Sequence, residues 1–301
     1  MTAVIQTEQL TKQYRSVLAL DSLDLEIVAG EVYGYLGPNG SGKTTTIRLL
    51  LGIHRPTAGS ARILGLDAWQ NPVEAHRRVA YVAGEPMLWP SLTGAETLDF
   101  LGRLHGSVDT DYRNVLTKRF DLDPSRRVRA YSKGNRKKLQ LIAAFAARPE
   151  LLILDEPTSG LDPLMEVAFR TTVQEAKGRQ QTVFLSSHIL SEVEALCDRV
   201  GILRQGRLVE QGTLDQLRHL SAHIIEVTFA EPVPVFPVLP GVEVAKTGER
   251  SMRFQVHGSV GPLISALARC QIATLTSREP SLEEIFLVHY QNQAGAMHVE
   301  A

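Results

Sequence analysis

The chain has 301 residues, enough for more than one domain, and its 44% hydrophobic and 22% charged content is typical of a globular protein. A formal net charge of -1 argues against a protein dominated by nucleic-acid binding, and two cysteines are too few for a disulfide framework. The first residues, MTAVIQTEQL, lack the basic start and apolar core of a signal peptide, and no apolar run approaches the roughly 18 residues of a membrane span. We therefore expect a reduced, cytoplasmic protein.

The first motif along the chain joins a strand to a helix. EVYGYLG (31–37) is a short apolar run, GKTTTIRLLLG (42–52) has a helical pattern, and GPNGSGKT between them fits G-x-x-x-x-G-K-[ST]. Backbone N–H groups of such a loop, together with the positive end of the helix dipole, bind phosphate. The predicted nucleotide-binding residues are Gly37, Pro38, Asn39, Gly40, Ser41, Gly42, Lys43, Thr44 and Thr45.

Two acidic residues at the end of a later strand complement this loop. LLILDEP (151–157) is a buried-strand pattern that ends in Asp155 and Glu156. Lys43 is expected to reach the β- and γ-phosphates, while Thr44 and Asp155 would hold Mg²⁺, Asp155 through water. Glu156 is the candidate general base for the attacking water. The alternative is an ordinary acidic turn before a proline.

A third strand and two loop motifs extend the pattern. QTVFLSSH (181–188) ends in a histidine, TSGLDP (158–163) follows the acidic pair directly, and YSKGN (131–135) precedes it. In this order and spacing the chain, from about residue 4 to 215, resembles the ATP-binding cassette ATPases, the nucleotide-binding subunits of ABC transporters. The resemblance implies an α/β P-loop NTPase cassette with a mixed-sheet core and a helical subdomain at about residues 87–149.

The resemblance also assigns roles to residues that the motifs alone leave open. His188 would touch the γ-phosphate as the switch histidine, and TSGLDP would be the loop that crosses a homodimer interface. YSKGN occupies the place of the family's Leu-Ser-Gly-Gly-Gln signature, which caps ATP held by the other subunit, so Ser132, Gly134 and Asn135 would act in trans. Tyr14 would stack on adenine, although plain packing is as common for a tyrosine before a strand.

Two motifs depart from the family pattern. In the signature, Lys133 replaces a glycine and Asn135 a glutamine, which leaves the hydroxyl of Ser132 and the unobstructed N–H of Gly134 at a helix start. In RRVAYVAGEP, Gly84 stands where the family has a glutamine that ligates Mg²⁺. Glu85 is the nearest oxygen donor. It is a candidate metal ligand, with solvation or contact with a membrane partner as the alternative.

The segment 126–138, rich in arginine and lysine, allows a second function class. A soluble cassette ATPase that acts on nucleic acid or the ribosome would use such a basic segment. Members of that kind usually carry two cassettes, whereas this sequence has one GKT loop. The transporter interpretation is therefore favoured, and no nucleic-acid partner is expected.

Composition changes after the cassette. We predict an ATPase domain at 1–218, a small α+β domain at 221–290 with a final helix capped by Ser281 and Glu284, and a disordered tail at 291–301. The stretch REPSLEEIFL resembles the C-terminal extension of ABC-2 type exporter ATPases, including bacterial drug and antibiotic exporters.

That resemblance implies an ATP- and Mg²⁺-dependent ATPase subunit. It would drive a separate transmembrane permease by closure of a homodimer at the cytoplasmic face of the membrane. The cargo would be drugs, antibiotics or lipids. An importer ATPase is the alternative within this class.

Overall fold

The chain divides into two compact units in a computed structural model. The structure describes residues 2–284 except 107, 220–222, 247, 280 and 282. The units comprise Met1–Gln211 and Gly212–Ala301, and each is described by itself.

The first unit contains both strands and helices. Its strands are β1 (Ala3–Tyr14), β2 (Val17–Val28), β3 (Val32–Leu36), β4 (Ala58–Ile63), β5 (Leu66–Asp67), β6 (Val79–Val82), β7 (Leu151–Asp155), β8 (Thr182–Ser187), β9 (Arg199–Arg204) and β10 (Arg207–Thr213), which extends two residues past Gln211. Its helices are α1 (Lys43–Leu50), α2 (Pro72–His76), α3 (Gly94–His105), α4 (Thr110–Arg119), α5 (Lys133–Ala146), α6 (Pro163–Gly178) and α7 (Leu190–Leu196), with a 3₁₀ turn at Val128–Ala130. Among the described residues no helix is both long and apolar enough to cross a bilayer.

The central sheet has the strand order β10-β9-β3-β8-β7-β6. β3 pairs in parallel with β8 and β9, and β7 pairs in parallel with β6 and β8. Every residue of β3, β7 and β8 is buried, as expected for parallel strands covered on both faces. The register sets Leu36 opposite Ser187 and Asp155 opposite Ser186, so the carboxyl ends of these strands meet at one edge. The strands predicted from the apolar runs are confirmed.

A second sheet, with the order β2-β1-β4-β5, is antiparallel in its described pairings. Its inward leucines and isoleucines share one core with Ile47 of α1 and with Tyr33 and Tyr35 of β3. This shared core packs α1 against β3. The P-loop α/β fold with a mixed-sheet core, predicted from the motifs, is confirmed.

The helical segment between β6 and β7 is bounded by side-chain caps. Thr93 and Glu96 form a reciprocal capping box at the start of α3, and Ser132 accepts a hydrogen bond from the Asn135 N–H at the start of α5. Arg119 at the end of α4 forms a 2.6 Å ion pair with Glu175 of α6. This ion pair ties the segment to a helix that covers the central sheet.

The second unit is a small α+β arrangement. It contains α8 (Leu214–His219), β11 (His223–Phe229), β12 (Val242–Lys246), β13 (Ser251–Val256), α9 (Gly261–Leu267) and β14 (Ile272–Arg278), with strand order β12-β13-β11-β14. The sheet is antiparallel, and one face packs on Leu263 and Leu267 of α9. Ser281 and Glu284 exchange the hydrogen bonds of the expected capping box. The rest of the helix predicted after Glu284 and the tail at 291–301 lie outside the described residues.

Candidate active site

A tight loop follows β3 and leads directly into α1. Gly40 and Gly42 have φ values of +82° and +115°, which side-chain-bearing residues rarely adopt. A Cβ added at Gly37 would lie 2.4 Å from the Ser41 hydroxyl oxygen and 2.6 Å from the Leu203 carbonyl oxygen. The GPNGSGKT pattern therefore folds as a curled loop in which these three positions require glycine.

Lys43, the first residue of α1, turns its side chain back over this loop. Its ammonium donates hydrogen bonds to the carbonyl oxygens of Gly37 at 2.5 Å and Pro38 at 3.2 Å. The side chain is buried, which lowers the pKa of Lys43, while the carboxylates of Glu156 and Asp155 act in the opposite direction. A cation thus lies between the loop and two acids, where a phosphate group would need its charge neutralised.

The loop forms one wall of a cleft of about 370 Å³. The cleft is lined by Val17, Leu18, Ala19, Pro38, Asn39, Gly40, Gly42, Lys43, Thr44, Thr45, Glu156, Gln205 and Gly206. Within the loop the hydroxyl of Ser41 is buried and has no hydrogen-bond partner among the described residues. Ser41 is not among the described residues that line the cleft, so the fit to an anionic ligand rests on the glycine-rich loop and on Lys43.

Asp155 lies at the edge where the parallel strands end. Its carboxylate accepts a 2.5 Å hydrogen bond from the Ser186 hydroxyl through one oxygen and a 3.4 Å hydrogen bond from the Thr44 hydroxyl through the other. The side chain is buried. Hydroxyl and carboxylate oxygens are the ligands that Mg²⁺ prefers, so Thr44 and Asp155 fit this ion as predicted ligands.

Glu156 follows Asp155 with a left-handed backbone, φ +44°. Its N–H donates to the Ser186 carbonyl oxygen at 3.1 Å, which anchors the turn to β8. The side-chain oxygen Oε1 lies 3.2 Å from Nδ1 of His188, and both side chains are partly exposed. The arrangement brings a carboxylate and an imidazole together beside the phosphate-binding loop, a pair suited to orienting and deprotonating water.

The signature residues lie at the start of α5, and none is among the described residues that line the cleft. Ser132 is the N-cap and is exposed. A Cβ at Gly134 would lie 2.6 Å from the carbonyl oxygen of Gly160, so this glycine packs directly on the TSGLDP loop. Because Ser132 is exposed beside that loop, it is accessible to ATP bound by a second subunit.

Comparison with known proteins identifies the family. A profile described as ABC transporter matches residues 20–159. The chain is 37% identical over 237 residues to the bacitracin transport ATP-binding protein BcrA of Bacillus licheniformis, which covers 77% of this chain and 76% of that protein. It is 35% identical over 300 residues to the daunorubicin resistance ATP-binding protein DrrA3 of Streptomyces coeruleorubidus, which covers 94% of each. The chain belongs to the ABC transporter ATP-binding proteins.

A solved structure of an ATP-binding subunit of an ABC transporter agrees with this assignment. Its TM-score is 0.68 at 32% identity, and the match covers 71% of this chain and 92% of that one. The chain is therefore an ATP-binding cassette and an ATPase, as its motifs predict.

Two predicted residues of the cassette have less support from geometry. Tyr14 ends β1; its hydroxyl is hydrogen-bonded to His54, and the ammonium of Lys12 lies 4.8 Å from its ring centroid. Its role in adenine stacking stays a prediction. Glu85 is exposed and has no hydrogen bond or ion pair among the described residues, so metal ligation by Glu85 also stays a prediction.

Several residues that support the site of the cassette belong to none of the predicted motifs. Ser186 bonds to Asp155, and the pairing of β7 with β8 was the signal that could have identified it. Glu192 on α7 is buried and accepts a 2.6 Å hydrogen bond from Ser187, whose oxygen in turn accepts from the N–H of Ile189. This network holds the backbone on both sides of His188. Burial raises the pKa of Glu192.

Proposed function

We propose that the chain hydrolyses ATP with Glu156 as general base, His188 as its partner at the γ-phosphate and Lys43 as the phosphate-binding cation. The observation that carries this proposal is the 3.2 Å approach of His188 to the Glu156 carboxylate beside the phosphate-binding loop. A Mg²⁺ ion bound by Thr44 and Asp155 would neutralise charge on the phosphate oxygens. The Glu156 carboxylate would accept the proton of the attacking water.

The same proposal includes a homodimer. The exposed hydroxyl of Ser132 and the N–H of Gly134 would donate hydrogen bonds to the γ-phosphate of ATP held by a second copy of the chain. The N-terminus of a helix binds anions because its free N–H groups and its dipole carry positive charge. The cation of Lys133 adds positive charge at this position, and Asn135 supplies an amide. Two nucleotides would thus be enclosed between two identical chains.

The proposed partner is a separate transmembrane permease, with the chain at the cytoplasmic face of the membrane. Met87 is 89% exposed and Trp89 46% exposed in the segment after β6, and the Trp89 ring packs edge-on against Phe100 at 4.8 Å. We infer a protein contact from two such side chains in one short segment, because a single exposed apolar residue is ordinary on a protein surface. The names of the bacitracin transport and daunorubicin resistance relatives support export of a drug or an antibiotic.

The test is copurification of the chain from native membranes, followed by identification of the bound protein. We expect a polytopic membrane protein to accompany the wild-type chain, and Met87→Ser with Trp89→Ser to reduce its recovery. Val73→Ser, which changes an apolar residue on α2 that is 72% exposed, is the control and should not change recovery. Recovery of ribosomes or nucleic acid instead of a membrane protein would reject the transporter assignment.

A further inference from the structure

A buried lysine on α5 has no role in the function described above. Lys137 is fully buried, with 0% of its surface exposed. Its ammonium donates hydrogen bonds to the carbonyl oxygens of Ala83 at 2.7 Å, Gly84 at 2.8 Å and Glu156 at 3.2 Å. One side chain thus joins α5 to the loop after β6 and to the turn that carries the catalytic carboxylate.

The chemistry of the ammonium matches this environment. Burial lowers the pKa of Lys137 to about 8, and the nearby carboxylate of Asp155 acts in the opposite direction. The ammonium carries three N–H donors, which match the three carbonyl acceptors. A buried charge persists only when it is well hydrogen-bonded, so these contacts are a specific requirement of the position.

The glycine at position 84, where the family has a glutamine, makes the hydrogen bonds from Lys137 more important. A Cβ at Gly84 would lie 3.6 Å from the backbone oxygen of Asp155 and 3.6 Å from its carboxylate oxygen Oδ2. The loop after β6 therefore runs beside the metal-binding carboxylate but presents no side chain to it at this position. Lys137 on α5 holds this loop by donating hydrogen bonds to its backbone carbonyl oxygens.

We propose that Lys137 is a positioning residue that fixes the backbone of Glu156 and the Ala83–Gly84 turn relative to the start of α5. Ser132 and Gly134 lie at that helix start, five and three residues before Lys137 along the chain. Movement of α5 when these residues bind nucleotide on a second subunit is thereby transmitted to the general base of the same chain. The inference rests on the proposed role of Glu156.

The first experiment compares Lys137→Met with Lys138→Met in the full chain. Both changes remove an ammonium and keep an unbranched side chain, and Lys138 is the next buried residue of α5, without a hydrogen bond or ion pair in the described part of the chain. We expect Lys137→Met to bind Mg-ATP within about threefold of wild type and to lower kcat roughly 10- to 100-fold, because a small displacement of a catalytic group has effects of that size. Lys138→Met should keep the wild-type kcat.

The second experiment tests whether Lys137 acts through Glu156. If it does, the double variant Lys137→Met with Glu156→Gln hydrolyses ATP no more slowly than Glu156→Gln alone, since the group being positioned is already inactive. Multiplicative losses would mean that Lys137 acts independently of Glu156 and would overturn the proposal. If Lys137→Met does not fold, Lys137→Gln, whose shorter side chain has only two N–H donors for the three carbonyl acceptors, replaces it in the same cycle.

Two outcomes separate this inference from the proposed function. If Glu156→Gln retains the wild-type hydrolysis rate, Glu156 is not the general base, and the inference about Lys137 is wrong as well. If Glu156→Gln is inactive but Lys137→Met has the wild-type kcat per bound ATP, the inference alone is overturned. Parallel loss of ATP affinity and hydrolysis in Lys137→Met would likewise overturn it, because that pattern indicates a structural role.

Discussion

Gly134 at the start of α5 packs against the carbonyl oxygen of Gly160, so closely that a Cβ at Gly134 would lie 2.6 Å from it. Gly160 itself has φ +84° and belongs to the TSGLDP loop. The signature glycine therefore has a structural function within its own chain, in addition to the proposed contact with ATP in trans. Any side chain at Gly134 must displace the loop that follows the catalytic carboxylate.

We predict that Gly134→Ala destabilises the first unit by roughly 1 to 3 kcal/mol, the usual cost of inserting a methyl group into a packed site. ATP should still bind the chain's own loop, since Gly134 is not among the described residues lining that cleft. Thermal unfolding and ATP titration measure the two effects. Gly178→Ala is the control, because a Cβ at Gly178 meets nothing within 4 Å at the end of α6. Equal melting temperatures for the two variants would contradict the prediction.

The basic segment 126–138 is only partly available to a partner. Lys137 and Lys138 are buried, and the backbone around Arg126 and Val128 is hydrogen-bonded to Gly94 and Leu92. We expect duplex DNA or RNA to bind the full chain weakly, and charge reversal at Arg126, Arg127 and Arg129 to leave ATP binding unchanged. Fluorescence anisotropy at physiological salt is the measurement. A salt-sensitive nanomolar affinity that the charge reversal abolishes would restore the nucleic-acid alternative.

Local sequence patterns were sufficient to predict the strands and the helix that carry the nucleotide-binding motifs. The apolar runs around Tyr35, Leu154 and Leu185 predicted buried strands because parallel strands are covered on both faces. Contacts between distant segments were not predictable in this way. Lys137 belongs to a run of basic residues that suggests an exposed surface, yet its three acceptors come from segments far away in the chain.

In the second unit, Glu284 provides a pH-dependent contribution to stability. Arg278 donates to both of its oxygens at 2.6 and 2.7 Å, which together with the Ser281 N–H lowers the pKa of Glu284 to about 2. The folded pKa lies below the ordinary value of 4.5, so this stabilisation is present above about pH 4.5 and is lost as the pH falls towards 2. We expect this ion pair to contribute about 1 to 2 kcal/mol to the free energy of unfolding. This is less than the pKa shift of Glu284 alone implies, because the Arg278 side chain is 38% exposed and solvent screens the charges.

Hydrogen exchange of the β11 and β14 amides in the full chain measures this effect, after correction for the intrinsic exchange rate at each pH. Protection in the wild type should decrease between pH 4.5 and 2 more steeply than in Glu284→Gln. Glu243→Gln changes an exposed carboxylate of β12 that has no ion pair among the described residues, and it should follow the wild type. Identical pH profiles for wild type and Glu284→Gln would exclude the contribution.

The role of Glu156 separates ATP binding from its hydrolysis. Glu156→Gln keeps the volume of the side chain but removes the base, so turnover should fall roughly 10²- to 10⁴-fold. Lys43, Thr44 and Asp155 remain to bind Mg-ATP. Lys43→Ala should instead lose nucleotide affinity, because it removes the cation that lies over the phosphate-binding loop.

Size exclusion with light scattering distinguishes these variants in the presence of Mg-ATP. Glu156→Gln should shift towards twice the monomer mass, since bound and uncleaved ATP favours the closed dimer by mass action. The wild type should dimerise only transiently and Lys43→Ala not at all. A hydrolysis rate of Glu156→Gln equal to that of the wild type would refute the assignment of the base. If Glu156→Gln binds ATP but remains monomeric, the altered signature YSKGN requires the membrane partner to close the site, because Ser132 and Gly134 alone would then be insufficient to hold a second subunit.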